Sequence, residues 1–224
     1  MLPADVLLLG EQHDAPSHQR SHLQAVQRLA SSGALGALAL EMAEQGASTA
    51  GLSRDADEAS VRAALRWNES AWPWSAYGPS VMAAVRAGVT VYGANLPRGQ
   101  MRAAMADAQL DALLDAPALQ AQRDAIRAGH CGLLPDTQLG PMARIQIARD
   151  QAMARTVAQG VQPGKTVLLL AGAGHVDEAL GVPRHLPPAL RSRSLRWPAE
   201  PPAKDYCAEL RRQMAPGAGK GGMP

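Results

Sequence analysis

Four short apolar runs punctuate the chain: Asp5 to Gly10, Ala37 to Met42, Val89 to Ala94 and Thr166 to Ala171. Each has strand length and is apolar at consecutive positions rather than alternate ones. That pattern predicts strands buried on both faces of a largely parallel sheet. Segments of helical period lie between them. Ser17 to Ser32 places Leu23, Val26, Leu29 and Ala30 on one stripe, with Gly33 as a stop. Pro79 to Ala87 reads as a helix closed by Gly88, Met101 to Ala128 as two helices broken near Pro117, and Met142 to Gln159 as another. The alternation predicts an α/β fold: an open, largely parallel sheet of four or five strands flanked by helices and joined by right-handed crossovers. One domain over residues 1–200 is expected. A C-terminal extension, 201–224, follows, with a short helix at Lys204 to Met214 and about ten final residues without order.

The polar residues that follow each run change the picture. The first run ends in Gly10-Glu11-Gln12-His13-Asp14, the second in Glu41, the third in Asn95, and the fourth in Gly172-Ala173-Gly174-His175. In open α/β sheets, ligands bind beyond the carboxyl ends of the strands. Parallel strands would bring Glu11, His13, Glu41, Asn95 and His175 to one rim. Two carboxylates and two imidazoles there could hold a divalent metal, activate water or grip a polar ligand. Any one of these residues alone is explained by the loop chemistry that follows every strand; four in one chain point to a site. His18 and His22, one helical turn apart, follow closely. His22 falls within the apolar arc of the first helix and His18 at its edge.

Composition excludes more than it assigns. A net charge of +2 gives no basic face for nucleic acid. No run of 18 apolar residues suggests a membrane span. Met1 to Asp5 has no basic region and Val6 to Leu9 is too short for a signal sequence, which leaves either a cytoplasmic protein or a missing export segment. Cys131 and Cys207 lack the spacing of a zinc site; they could form one bridge or stand as two buried thiols. Aromatic residues are scarce, yet Trp67, Trp72, Trp74 and Tyr77 fall within eleven residues, out of four tryptophans and three tyrosines in all. Pro73, Gly78 and Pro79 interrupt the stretch, so neither regular helix nor strand is expected there. The cluster is either a small core under a long loop or an apolar platform for a flat ligand.

Taken together, these residues resemble the ChaN-like haem-binding family, within the wider group that includes the erythromycin esterases and the Tiki and TraB proteins. Gly10 to His18 resembles its GExHDxPxH opening, Glu41-Met42 its EM pair, Trp72 to Tyr77 its aromatic segment, and Asn95-Leu96-Pro97-Arg98 its NLPR motif. His130-Cys131-Gly132 is similar to its HCG, and Gln146, Asp150, Met153 and Ala154 to its QxxxDxxMA pattern. Gly172 to Val176 with Gly181-Val182-Pro183 is similar to its closing GHV and GVP. The resemblance runs from about Val6 to Tyr206 and implies ferric haem as ligand, with a role in haem or iron uptake. It also implies a tyrosine on the iron and a homodimer holding haems face to face. Export to the periplasm or cell surface, often as a lipoprotein, and membrane-associated transport partners belong to the same implication.

Among Tyr77, Tyr92 and Tyr206, Tyr92 lies inside a strand and reads as core. Tyr77, beside Trp72 and Trp74, is the favoured iron ligand, with Tyr206 as the alternative. Phenolate suits ferric iron and a carrier's task. His18 and Arg98 are the expected partners of the propionates. The rival reading is a hydrolase of the esterase or Tiki type acting through Glu11, His13, Glu41 and His175. No nucleophilic serine motif and no HExxH helix supports it, and catalysis is the less expected of the two.

Overall fold

The computed structural model describes residues 4–214. Among these residues five strands form one sheet: β1 (Val6–Glu11), β2 (Leu35–Glu44), β3 (Thr90–Asn95), β4 (Thr166–Gly172) and β5 (Ser192–Arg196), in the order β3-β2-β4-β1-β5. Every pairing between them is parallel. The four apolar runs are thus strands, and β2 and β4 are buried along almost their whole length. The fifth strand, β5, carries the polar sequence Ser-Arg-Ser-Leu-Arg and closes one edge.

Among the described residues seven α-helices connect and flank the sheet: α1 (Pro16–Ser31), α2 (Glu58–Ala64), α3 (Trp74–Arg86), α4 (Met101–Ala106), α5 (Ala116–Gly129), α6 (Asp136–Gln159) and α7 (Tyr206–Met214). Pro16 opens α1, where its missing N–H costs nothing. On one face of the sheet, Val26, Val61, Val81 and Val85 of α1, α2 and α3 pack with Leu9, Leu38, Leu40 and Leu168. On the other, Met153, Ala154 and Val157 of α6 pack with Leu8, Ala39 and Leu169.

Two stretches depart from the sequence expectation. The aromatic segment is helical from Trp74 onward, and Pro79 lies inside α3. Pro79 cannot donate to the carbonyl of Ser75, but Ser75 is exposed, so water can take that bond. Helix α6 begins at Asp136 and contains Pro141 near its start. The expectation for the last ten residues lies outside the described residues.

The crossovers decide where a site can form. Those leaving β1 and β2 run toward the β3 edge, whereas β4 leads across β1 to β5. Adjacent strands β1 and β4 are therefore the switch point, and their carboxyl ends open a crevice. Gly10 and Gly172 lie there, paired with Ala171 and Glu11 respectively.

A candidate strand-end site with two carboxylate–imidazole pairs

The cleft above β1 and β4, about 830 Å3, has Glu11, His13, Glu41, Arg149, Asp150 and His175 in its lining. Of the five residues expected at the rim, Glu11, His13, Glu41 and His175 line this cleft together. Glu11 is buried, and its Oε1 receives hydrogen bonds from the Tyr77 hydroxyl at 2.6 Å and from His13 Nδ1 at 2.7 Å. On the other side, His175 Nδ1 bonds Asp150 Oδ1 at 2.6 Å. Each imidazole is thus oriented through Nδ1 by its own carboxylate. Both Nε2 atoms then face Glu41, at 3.7 Å from His13 and 3.5 Å from His175.

Glu41 is the hub between the pairs. Arg149 Nη2 donates to its Oε1, and the Gly172 N–H donates to its Oε2 at 2.7 Å. A side chain at 172 would place Cβ only 2.8 Å from His13 Nε2, so glycine is needed for the ring to lie over the end of β4. Asn95 also reaches the site, its Oδ1 accepting from Arg149 Nε at 2.9 Å.

Charge balance fixes protonation. Burial works against a charged His175, but the Glu41 and Asp150 carboxylates outweigh it and raise its pKa to about 9. His13 is raised as well: burial opposes its charge, and the Glu11 hydrogen bond with the Glu41 charge prevails. Glu41, though buried, is held well below the carboxylate range by His175, Arg149 and His13. His22 behaves oppositely. Burial drives its pKa down to about 4 despite Glu11 Oε2 at 3.3 Å from its Nδ1, so the ring is neutral at pH 7.

A divalent metal does not suit this arrangement. Among the described residues no group of three or more His, Cys, Asp or Glu side chains is disposed to hold one. The physical reason is visible: the Glu41 oxygens are taken by Arg149 and Gly172, and the Nδ1 atoms by Glu11 and Asp150. A guanidinium and an imidazolium already supply the cations.

The aromatic segment is placed differently from a ligand platform. Tyr77 is 2% exposed with its hydroxyl committed to Glu11, and burial with that neighbouring charge pushes its pKa up. Trp74 is buried too, its indole N–H donating to Glu58 at 2.9 Å. Trp67 stands edge-on to Trp74, with ring centroids 4.9 Å apart, and Trp72 edge-on to His13 at 4.8 Å. The cluster is core under the loop, and Trp72 reaches a hollow of its own beside Arg66 and Arg98. Arg98 is exposed at that lip, and its backbone N–H donates to Glu44.

His18 is buried with both ring nitrogens engaged. Its Nδ1 accepts from the Gln12 N–H at 2.9 Å and its Nε2 lies 3.1 Å from the Pro198 carbonyl. It braces the C-terminal segment. Tyr92, on β3, is half-buried against the α6 side of the core. Tyr206 is the outward tyrosine, 46% exposed, its hydroxyl donating to Asp14 Oδ2 at 2.9 Å. Beside it Cys207 forms a disulfide with Cys131.

Sequence reasoning missed Arg149 and gave Asp150 no role. The signal for Asp150 was present: it interrupts the stripe Ala143, Ile147, Ala154, Val157 at the helical spacing of a core face. An acid in that register must be paired.

Among solved structures, the chain is similar to ChaN of Campylobacter jejuni with cofacial haem bound. The TM-score is 0.71 and the identity 25%, over 86% of this chain and 81% of that one. No curated protein matches it in sequence. The family model described as haem-binding uptake, Tiki superfamily, ChaN matches residues 1–186. The chain belongs to the ChaN haem-binding uptake family.

Proposed function

We propose that the chain is a haem carrier that takes ferric haem at its surface through the phenolate of Tyr206. Membership of the haem-binding uptake family supports the ligand class. The observation that carries the choice of residue is exposure: of the three tyrosines Tyr206 is the exposed one, whereas Tyr92 is half-buried on β3 and Tyr77 is shut into the core. Tyr206 lies beyond the residues that the family model matches.

The surroundings fit a phenolate ligand. An open hollow of about 470 Å3 borders Pro202, Lys204, Asp205, Tyr206 and Cys207. Burial opposes ionisation of Asp14, but hydrogen bonds from the Ala203 N–H, Gln12 and Tyr206 outweigh it and hold its pKa low. The carboxylate in turn raises the pKa of Tyr206, which stays a neutral phenol without its cargo. Asp14, hydrogen-bonded to the hydroxyl and with its own pKa held low, would relay the phenol proton to solvent rather than keep it when Tyr206 holds ferric haem. Lys204, whose ammonium pairs with Glu209 at 2.6 Å and lies 5.1 Å from the Tyr206 ring centroid, is the cation nearest the ring, and a propionate would have to share it with Glu209.

The cofacial haems of the Campylobacter relative support a pair of chains meeting through their half-covered haem faces. The disulfide supports an oxidising compartment, in keeping with uptake at the periplasm or cell surface and with hand-over to membrane-associated partners.

Titration of the protein with hemin, followed by absorbance and by mass, tests the reading. Tyr206→Phe should lose the charge-transfer band of a phenolate complex, and Tyr77→Phe should keep it. Wild-type spectrum and affinity in Tyr206→Phe overturn the assignment.

The two carboxylate–imidazole pairs favour a second reading, general acid–base hydrolysis in the strand-end cleft. Ester or amide turnover abolished by His175→Gln, with hemin binding intact, would promote it. Absence of turnover in the wild type removes it.

A further inference from the structure

After β5 the chain runs as an exposed segment to α7. It contributes Trp197 and Ala199 to the lining of the strand-end cleft, to which α5 contributes Gln122, Ala125 and Gly129. Hydrogen bonds tie this segment to the β1–α1 loop. Glu200 N–H donates to Gln12 at 3.1 Å, Ala203 N–H to Asp14 at 2.8 Å, and the Tyr206 hydroxyl to the same Asp14 carboxylate. Ser17 donates to Glu200, and His18 holds the Pro198 carbonyl. Apart from His18 these ties lie in the open, where water competes for every partner. No residue of α7 is buried; its first turns, Cys207 to Leu210, are only half-buried, so packing holds the helix down weakly. One covalent link remains, Cys207 to Cys131, joining α7 to the turn that ends α5.

That turn is built around the sulfur. Cys131 has φ +58°, in the left-handed region where a side chain is disfavoured, and Gly132 follows at φ +68°. The two residues close α5 through Cys131 N–H to Ala128 and Gly132 N–H to Arg127. Glycine would serve the backbone better at position 131. The thiol is what the side chain adds, and its use is the bridge. Cys207, half-buried, borders the same open hollow as Lys204 and Tyr206, which is the side from which a reductant would reach the bridge.

We propose that the Cys131–Cys207 disulfide is a redox latch, opened by a dithiol, that holds Tyr206 in place and frees it on reduction. A thiolate of the dithiol attacks Cys207 Sγ. The Cys131–Cys207 bond breaks, and Cys131 leaves as a thiolate and takes a proton. The second thiolate of the reductant attacks the mixed disulfide and expels Cys207, which is protonated in turn. The chain ends with two thiols and the dithiol as a disulfide, with two electrons and two protons transferred. The segment from Trp197 to Met214 is then held at β5, by the His18–Pro198 bond at its start, by the half-buried turns of α7 and otherwise by solvent-exposed hydrogen bonds. Tyr206 no longer stays over its hollow, and haem is released. The proposal rests on Tyr206 as the haem ligand. Linkage adds a consequence: whatever factor reduction takes from haem affinity, haem returns by making the disulfide harder to reduce.

The test uses the full chain in four forms: oxidised, reduced and alkylated with the reagent removed, Cys131→Ser/Cys207→Ser, and Tyr206→Phe. Amide hydrogen exchange and hemin titration are read on each. Reduction and the double serine variant should both raise exchange in residues 197–214 at least tenfold, with β1 to β4 still protected. Both should weaken hemin binding at least tenfold, matching Tyr206→Phe. A tenfold coupling should also lower the disulfide potential by about 30 mV when hemin is bound. Unchanged exchange in 197–214 after reduction, or unchanged hemin affinity with the segment freed, overturns the latch. Wild-type hemin binding by Tyr206→Phe overturns the tyrosine assignment instead, and the exchange data then still report whether the disulfide holds the segment. If the serine variant fails to fold, the alkylated protein, made from folded chains, gives both readouts.

Discussion

His175 should make this protein lose stability as the solution turns alkaline. In the folded chain its pKa is about 9, because the Glu41 and Asp150 carboxylates overcome burial; in the unfolded chain it returns to its ordinary 6.5. Below pH 6.5 both states carry the proton and the full benefit of the charged ring is present. Between 6.5 and 9 the unfolded state sheds the proton first, so each rise in pH favours unfolding. At 1.36 kcal/mol per pH unit the difference amounts to roughly 3 kcal/mol. His13, raised in the same direction but with its side chain 39% exposed, adds a smaller contribution. Urea unfolding at pH 6.5, 7.5, 8.5 and 9.5, followed by tryptophan fluorescence, gives the slope directly. His175→Gln, which removes the titration, should flatten most of it. An equal slope in wild type and variant would refute the account of the buried charge balance.

Other substitutions probe other contacts. His22, neutral and buried, should produce the opposite limb: stability falls as pH drops from 6.5 toward 4, and His22→Gln should remove that part of the acid slope. Gly172→Ala drives Cβ against the His13 ring and should cost about 1–3 kcal/mol, with the His13 NMR signals displaced in the folded protein. Tyr77→Phe deletes the donor to Glu11 and should lower the unfolding free energy by about 1–3 kcal/mol without altering the hemin spectrum.

The four apolar strands were legible because a strand buried on both faces has no polar alternative at any position. β5 was not, since Ser192 to Arg196 is an edge whose residues are exposed or half-buried and whose sequence carries two arginines. The rim residues Glu11, His13, Glu41 and His175 could be read from their place after each strand. The organisation of that rim could not: Arg149 and Asp150 come from the middle of α6, and only packing of α6 onto the sheet brings them to Glu41 and His175. The tryptophan cluster misled through its prolines. Pro79 interrupts a sequence pattern, but the helix needs to forgo only one exposed hydrogen bond to pass it. Burial of the Tyr77 ring therefore had no local signature, whereas the Asp14–Tyr206 contact joins residues 192 apart.

The strand order also dictates the sequence of events in folding. β1 is sandwiched between the two latest strands, Val6 lying beside Val167 on one side and Ser192 on the other. The apolar face of Val6 to Leu9 must wait for chain made more than 150 residues later, while β2 and β3 can pair early through a shorter loop. Closing such distant pairs comes late and slowly because the chain entropy is lost before contacts reward it. During synthesis β1 is thus an uncovered, adhesive strand, and insertion of β4 between β2 and β1 is the event that both shields it and assembles the strand-end site.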